Sequence, residues 1–203
     1  MNIRLLNADE IECRVAQVSK SQYGVSCSLL LYKDARCDMS ILDEVYGQTN
    51  WKREHVVIDG RLYCNVSVWD AEKGQWVVKQ DVGTESNTEK EKGQASDSFK
   101  RACTNWGIGR ELYTAPMIWV RLRDKEYSEQ NGRIKCKQSF RVRSIQYDKR
   151  RISGLVIEDE KGEARFELVP PPVELTEVQK KAKHVKQMLY DISGKDVDTS
   201  SKL

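Results

Sequence analysis

The stretch KQDVGTESNTEKEKGQASDSFKRACTNWG, residues 79–107, decides the fold, because it joins a strand to a long amphipathic helix. Thr88 and Glu91 have the spacing of a capping box, which favours a helix start at this point. Apolar residues then recur at helical period on one face, at Ala95, Phe99, Ala102, Cys103 and Trp106. Gly107 is a typical helix stop. The pattern predicts a helix over Glu89–Trp106.

Three strands and a shorter helix are predicted upstream of this stretch. Asp59-Gly60 is a strong hairpin signal between Lys52–Ile58 and Arg61–Trp69, and Gln75–Gly83 forms the third strand. A helix is predicted over Ala35–Tyr46, with Asp34 as its N-cap. The fold class is therefore α+β: an antiparallel β-meander, a β-β-β-α core, with a covering helix.

The rest of the chain extends this core. We expect one domain over residues 1–169, with its core at about 28–113 and an added β-meander at about 133–168, whose strands are Phe140–Tyr147, Ile152–Ile157 and Ala164–Leu168. Asp124–Gly132 is expected to be a mobile loop. Residues 170–203 form a proline-linked helical tail, with an apolar stripe at Val178, Ala182, Val185 and Leu189.

Composition argues against several functions. The 203 residues carry a net charge of +3, and no apolar run is long enough to cross a bilayer, so we expect a soluble intracellular protein without a membrane partner. Six scattered cysteines without a C-x-x-C pair, together with two histidines, make a zinc site improbable. No phosphate-loop motif is present. We expect neither a metal, a cofactor nor catalysis.

Acidic residues leave one enzymatic alternative open. Glu85, Glu89 and Glu91 form a cluster that would suit Mg²⁺ in a metal-dependent nuclease. Acids also favour the first turn of any helix, which is the stronger interpretation. Asp159-Glu160-Lys161 has a spacing found in some nucleases, but it falls in a predicted hairpin turn beside Gly162.

Basic residues point to nucleic acid in two places. Lys100 and Arg101 lie with Asp97 and Thr104 opposite the apolar stripe of the long helix, where the two cations bind phosphates or form a solvated face. A second basic segment runs from Arg133 to Arg151, and Arg141 and Arg143 share one face of its strand. Phosphate binding and an ordinary charged surface are both open interpretations of this segment.

Several of these residues resemble one family. Residues 79–86, Lys92-Gly93-Gln94-Ala95, residues 97–102 and Trp106-Gly107 resemble the signature of the Rad fifty-two/Rad twenty-two superfamily of single-strand annealing proteins, and Ala35-Arg36-Cys37 resembles its first core helix. The resemblance covers roughly residues 28–113. It implies a ring of subunits whose basic groove holds one DNA strand, without nucleotide or metal.

The resemblance also assigns DNA-binding roles. It implies backbone contacts by Arg36, Lys100 and Arg101. Eukaryotic members often carry another arginine where this chain has Thr104, so the missing cation is expected from Arg110 or from the basic segment with Arg141 and Arg143. The short chain is more similar to phage members, which implies the cytoplasm of a bacterial host.

The expected function is ATP-independent binding of single-stranded DNA and annealing of complementary strands in homologous recombination and DNA repair. The expected partners are single-stranded DNA, further copies of the chain in a ring and, through the tail, a host single-strand-binding protein. The alternatives are the nuclease and a passive single-stranded DNA-binding protein that stacks bases on Trp51, Tyr63 and Trp69.

Overall fold

The computed structural model describes residues 2–84 and 90–169, and six helical positions between residues 181 and 191. The chain divides into two compact units, Met1–Pro170 and Pro171–Leu203. The first unit contains the helices α1, Ala35–Tyr46, and α2, Lys90–Trp106. Its strands are β1 Glu12–Ser21, β2 Gly24–Tyr32, β3 Trp51–Ile58, β4 Arg61–Asp70, β5 Gln75–Val82, β6 Ile118–Arg121, β7 Tyr127–Gln130, β8 Arg133–Cys136, β9 Phe140–Asp148, β10 Arg151–Asp159 and β11 Ala164–Leu168.

The strands form three sheets, and every strand pair within the described residues is antiparallel. One sheet has the order β11-β10-β9-β1-β2-β6, the second β3-β4-β5, and the third is the hairpin β7-β8. With its two long helices, the unit is an α+β fold, as the sequence predicted.

Helix α2 packs on the three-stranded sheet through its apolar stripe, of which Phe99, Ala102 and Cys103 are fully buried. The Phe99 ring stacks on Trp51, with centroids 6.3 Å apart. The close fit explains Gly83 at the end of β5, since a Cβ atom there would lie 2.2 Å from the carbonyl oxygen of Gln94. The sequence signature D-V-G therefore marks a point where strand and helix backbones touch.

The six-stranded sheet rolls up so that its two edge strands, β11 and β6, contact each other. Arg165 of β11 joins the edges, because its Nη2 donates to the carbonyl oxygen of Arg121 at 2.7 Å. Apolar side chains of the inner face are buried, among them Cys27, Leu29, Val120, Leu155 and Ile157. Their alternation with exposed residues follows the two-residue period of a strand. The outer face is left for other contacts.

Two expectations for the second half of the chain are corrected. Asp124–Gly132 is not wholly a loop, because β7 occupies Tyr127–Gln130 and pairs with β8. The strands β9, β10 and β11 do follow one another as a meander, but they continue through β1 into the sheet of the N-terminal hairpin. The helix predicted from Glu89 begins at Lys90 among the described residues, and the capping residue Thr88 lies outside them.

Candidate nucleic-acid interface

A groove of about 690 Å³ lies between α2 and the strands β1, β2 and β6. Its volume falls within the range of pockets that hold small ligands, about 300–1,000 Å³. The groove is lined by four basic side chains, Arg14, Lys33, Lys100 and Arg101, which we call the cationic wall, and by the acid Asp97. Its most exposed apolar side chains are Leu30, Tyr113, Met117 and Trp119, which we call the apolar wall. The two walls adjoin on the sheet, because Arg14 of β1 is the register partner of Leu30 of β2.

Among the described residues, two side chains of the cationic wall have no direct ion-pair partner, although Lys100 still acts electrostatically on Asp34 and Asp38. Lys100 on α2 and Arg14 on β1 make no side-chain hydrogen bond or ion pair within the residues that the structure describes. Arg101, one residue after Lys100, pairs with Asp81 at 3.2 Å, but its side chain is 44% exposed. A solvent-exposed ion pair contributes little to stability, so Arg101 can exchange Asp81 for a phosphate at small cost.

Lys33 also lines the groove, and its side chain is buried. Its ammonium donates to Asp38 of α1 and to the carbonyl oxygen of Lys100, the latter at 3.4 Å. Burial raises the pKa of Asp38 to about 6, although Lys33 opposes the shift. Gly109 makes room for this contact, since a Cβ atom there would lie 2.3 Å from Lys33 Cε. Lys33 thus links α1 to α2. Because it is buried, the exposed positive charge of the groove comes from its neighbours.

The apolar wall is unusually exposed for its residue types. Tyr113 is 74%, Met117 82%, Trp119 42% and Leu30 48% exposed. Trp119 projects outward from β6 because its neighbours Ile118 and Val120 are buried. Contiguous exposed apolar surface of this kind often marks a site of binding.

Anchoring contacts hold Tyr113 in place. It lies in the 3-10 turn Arg110–Thr114, where Glu111 is buried and accepts a hydrogen bond from the Leu6 amide at 2.8 Å. The Thr114 hydroxyl oxygen accepts from the Ile152 amide at 2.9 Å. The turn is therefore fixed on both sides of the exposed ring.

The groove brings together two of the six residues predicted to bind DNA, Lys100 and Arg101. Arg36 lies on the first turn of α1 and pairs with the N-cap Asp34 at 2.8 Å, although its side chain is 84% exposed. The guanidinium of Arg110 donates to the carbonyl oxygens of Thr104 and Asn105, at 3.1 and 3.0 Å, and so caps the end of α2. Arg110 thus has a structural role.

Arg141 and Arg143 lie outside the groove, on β9. Both face Glu158 of β10, with nitrogen–oxygen distances of 2.6 and 3.9 Å. Glu12 of β1 is the register partner of Arg141 on the other side. The sequence segment around these arginines contains one acid, but the sheet places two more beside them. Their charge is therefore partly neutralised.

The residues of the enzymatic alternative have other roles where they are described. Asp159 accepts from Arg165 at 3.0 Å and from the amides of Lys161 and Glu163, so it organises a turn. Glu85 and Glu89 lie outside the described residues, among which no group of acidic, histidine or cysteine side chains suits a metal ion.

All six cysteines are free thiols. No helix among the described residues is long and apolar enough to span a membrane.

Two of the three aromatic residues considered for base stacking have structural contacts, and the third, Tyr63 of β4, is half-buried. Trp51 stacks on Phe99 and donates from Nε1 to Asp43 at 2.6 Å. Trp69 packs edge-on against Trp76. Arg14, Tyr113 and Trp119 of the groove were not predicted as site residues. The run Ile-Trp-Val-Arg at 118–121 has no apolar–polar alternation, and only its burial pattern in β6 shows that Trp119 lies on the outer face.

The tail is described at too few positions to place its stripe. Val185 and Leu189 are helical and exposed, as is Met188, while Val178 and Ala182 lie outside the described residues.

Comparisons of the chain with protein-family models, with curated proteins and with solved structures find no match. What the protein does is therefore inferred from the groove.

Proposed function

We propose that the protein binds single-stranded DNA in the groove beside α2 and anneals complementary strands without ATP. The observation that carries the proposal is that Lys100 and Arg14, which form no ion pair within the described residues, line the same groove as the exposed Tyr113 and Trp119. Cations and aromatic rings in one groove are the features by which proteins hold single strands without reading their sequence. The family resemblance of the segment around α2 supports the same function.

Phosphate binding supplies the affinity in this proposal. Lys100 and Arg101 project from a helix whose opposite face is buried, so they are held on a rigid support. Contacts to phosphates carry no sequence information, and they release counterions from the DNA. Binding therefore weakens steeply with salt and varies little with base sequence. Two strands held on such a surface also repel each other less, which favours pairing.

Assembly into a ring of identical subunits completes the proposal. The edge strands β3 and β5 have no partner on their outer sides among the described strands. Val57 and Ile58 are exposed at the end of β3. Unpaired edges with apolar side chains favour pairing with another chain. A ring would join the grooves of neighbouring subunits into one continuous path for DNA, and light scattering at micromolar concentration tests for it.

The function is tested by annealing two complementary labelled oligonucleotides in EDTA, without ATP. The wild-type protein should accelerate pairing, and Lys100→Ala with Arg101→Ala should slow it at least about tenfold, since each charged contact is worth about 1.5–3 kcal/mol. The matched control is Arg133→Ala with Lys135→Ala, two exposed cations on β8. Equal loss in both variants, at equal assembly, would contradict a specific role for the groove.

The same assay separates the alternatives. A passive binding protein protects the strands yet slows their pairing, and the exposed Tyr113 and Trp119 make this the strongest rival. A nuclease shortens a labelled strand when Mg²⁺ or Mn²⁺ replaces EDTA. Intact strands that pair faster with protein than without it support annealing against both rivals.

A further inference from the structure

Trp119 differs from the other four tryptophans. Trp51, Trp69, Trp76 and Trp106 each pack against another aromatic ring. Trp119 makes no ring contact and no side-chain hydrogen bond within the described residues, and its indole lies on the outer face of β6. Its register partner on β2 is Ser28, a small residue, and Trp119 is 42% exposed. Such a ring is available to a ligand.

The position of Trp119 selects the ligand. Trp119, Tyr113 and Met117 line the same groove as Lys100 and Arg14. An anion bound to Arg14 would therefore lie beside the apolar wall, because Arg14 is in register with Leu30. Single-stranded DNA has this combination of a phosphate backbone and unpaired flat bases, whereas a duplex turns its base faces inward. The groove therefore fits single-stranded DNA better than duplex DNA.

We propose that the apolar wall of Leu30, Tyr113, Met117 and Trp119 binds the unpaired bases of the strand whose phosphates lie on Lys100, Arg14 and Arg101. This inference rests on the proposed function and adds to it the basis of selectivity for single strands. Base pairing removes bases from the wall, so the annealed duplex keeps the phosphate contacts and loses the stacking contacts. The product is consequently held less tightly than the substrate.

The expected size of the effect is measurable. Stacking of one base on an aromatic side chain strengthens binding about 5- to 150-fold. The phosphate contribution does not depend on whether a base is present. A strand of thymidylates and an abasic phosphodiester strand of equal length therefore separate the two contributions.

The experiment compares binding of these two strands by fluorescence anisotropy at one salt concentration. The wild-type protein should bind the thymidylate strand at least about fivefold more tightly than the abasic strand. Tyr113→Ala with Trp119→Ala should bring this ratio close to one and leave the salt dependence unchanged. Trp76→Ala, which removes a half-exposed tryptophan from the other sheet, should leave the ratio as in the wild type.

Other results overturn the inference without touching the proposed function. A wild-type ratio near one, or an unchanged ratio in the Tyr113/Trp119 variant, would show that the bases do not use the wall. A variant that loses its ratio only because its mass in light scattering has fallen would assign the wall to contacts between subunits. Trp119→Leu keeps an apolar side chain and is therefore the control for misfolding. It should lower the ratio of the two strand affinities without changing the mass in light scattering. If neither strand binds the wild-type protein, the proposed function itself fails.

Discussion

Helix α2 at the groove and the outer face of β9 each carry two neighbouring basic side chains, but the acids around these two pairs differ. Lys100 forms no ion pair among the described residues, and Arg101 beside it pairs with Asp81, whereas Arg141 and Arg143 both face Glu158. Along the chain, the segment around β9 is the more basic of the two. Under the proposed function, phosphates would bind where charge is left unpaired after folding, which a count of basic residues does not give.

The largest expected effect is the loss of stability when α2, the helix that carries Lys100 and Arg101, loses its contact with the sheet. Trp106 holds the end of α2 on the sheet, donating from Nε1 to the carbonyl oxygen of Val66 at 3.0 Å and packing edge-on against Tyr46. Trp106→Ala should therefore destabilise the unit by about 3–5 kcal/mol. Chemical denaturation measures it. Trp69→Ala, a more exposed tryptophan, is the control, and an equal loss there would deny Trp106 a special role.

A smaller effect concerns the buried acid beneath the groove. The pKa of Asp38 is raised from 3.8 to about 6 by burial, so the folded state binds this proton more tightly than the unfolded chain does. Its contribution to stability is full below about pH 4 and is lost as the pH rises to about 6. The stability of the wild type relative to Asp38→Asn should therefore fall as the pH rises through this window, and chemical denaturation at several pH values measures it.

Asp34 provides the opposite case for the same measurement. Its pKa is lowered, first by the hydrogen bond from the Arg36 side chain, so its contribution is lost as the pH falls. The stability of the wild type relative to Asp34→Asn should therefore decrease toward low pH. Two flat differences, or two of the same sign, would contradict the account of the acids around α1.

The smallest effect sharpens the boundary of the groove. Arg110→Ala removes a cationic cap from the end of α2 and should cost about 0.3–1 kcal/mol in thermal or chemical unfolding. The salt dependence of DNA binding should stay as in the wild type, because Arg110 is engaged by the carbonyl oxygens of α2. A lower salt dependence at unchanged stability would return Arg110 to the interface.

Local sequence patterns predicted the elements near the groove well. The helix Ala35–Tyr46 is found with the same bounds, and the Asp59-Gly60 hairpin joins β3 and β4 as expected. Each depends on signals within a few residues: a cap, a period of apolar side chains or a turn pair. The hairpin β7-β8 was missed because its polar residues Tyr-Ser-Glu-Gln lack an apolar alternation.

Long-range pairing limited the prediction of the site. The sequence placed Lys100 and Arg101 opposite an apolar stripe on one helix, and the family resemblance gave them a DNA-binding role, which stays a prediction. It did not show that Glu12 lies in register with Arg141, 129 positions later, because no local pattern encodes that pairing. The same holds for Arg14 and Trp119, which reach the groove only because β1 and β6 both pair with β2.

The most direct measurement is the salt dependence of single-stranded DNA binding in two matched double variants, Lys100→Ala with Arg101→Ala and Arg141→Ala with Arg143→Ala. Each phosphate contact contributes about 0.7 to the slope of log K against log salt. The first variant should lower the slope by about 1.4, and the second should leave it at the wild-type value. The reverse result, with both variants folded and equally assembled, would contradict the account and place the DNA on β9.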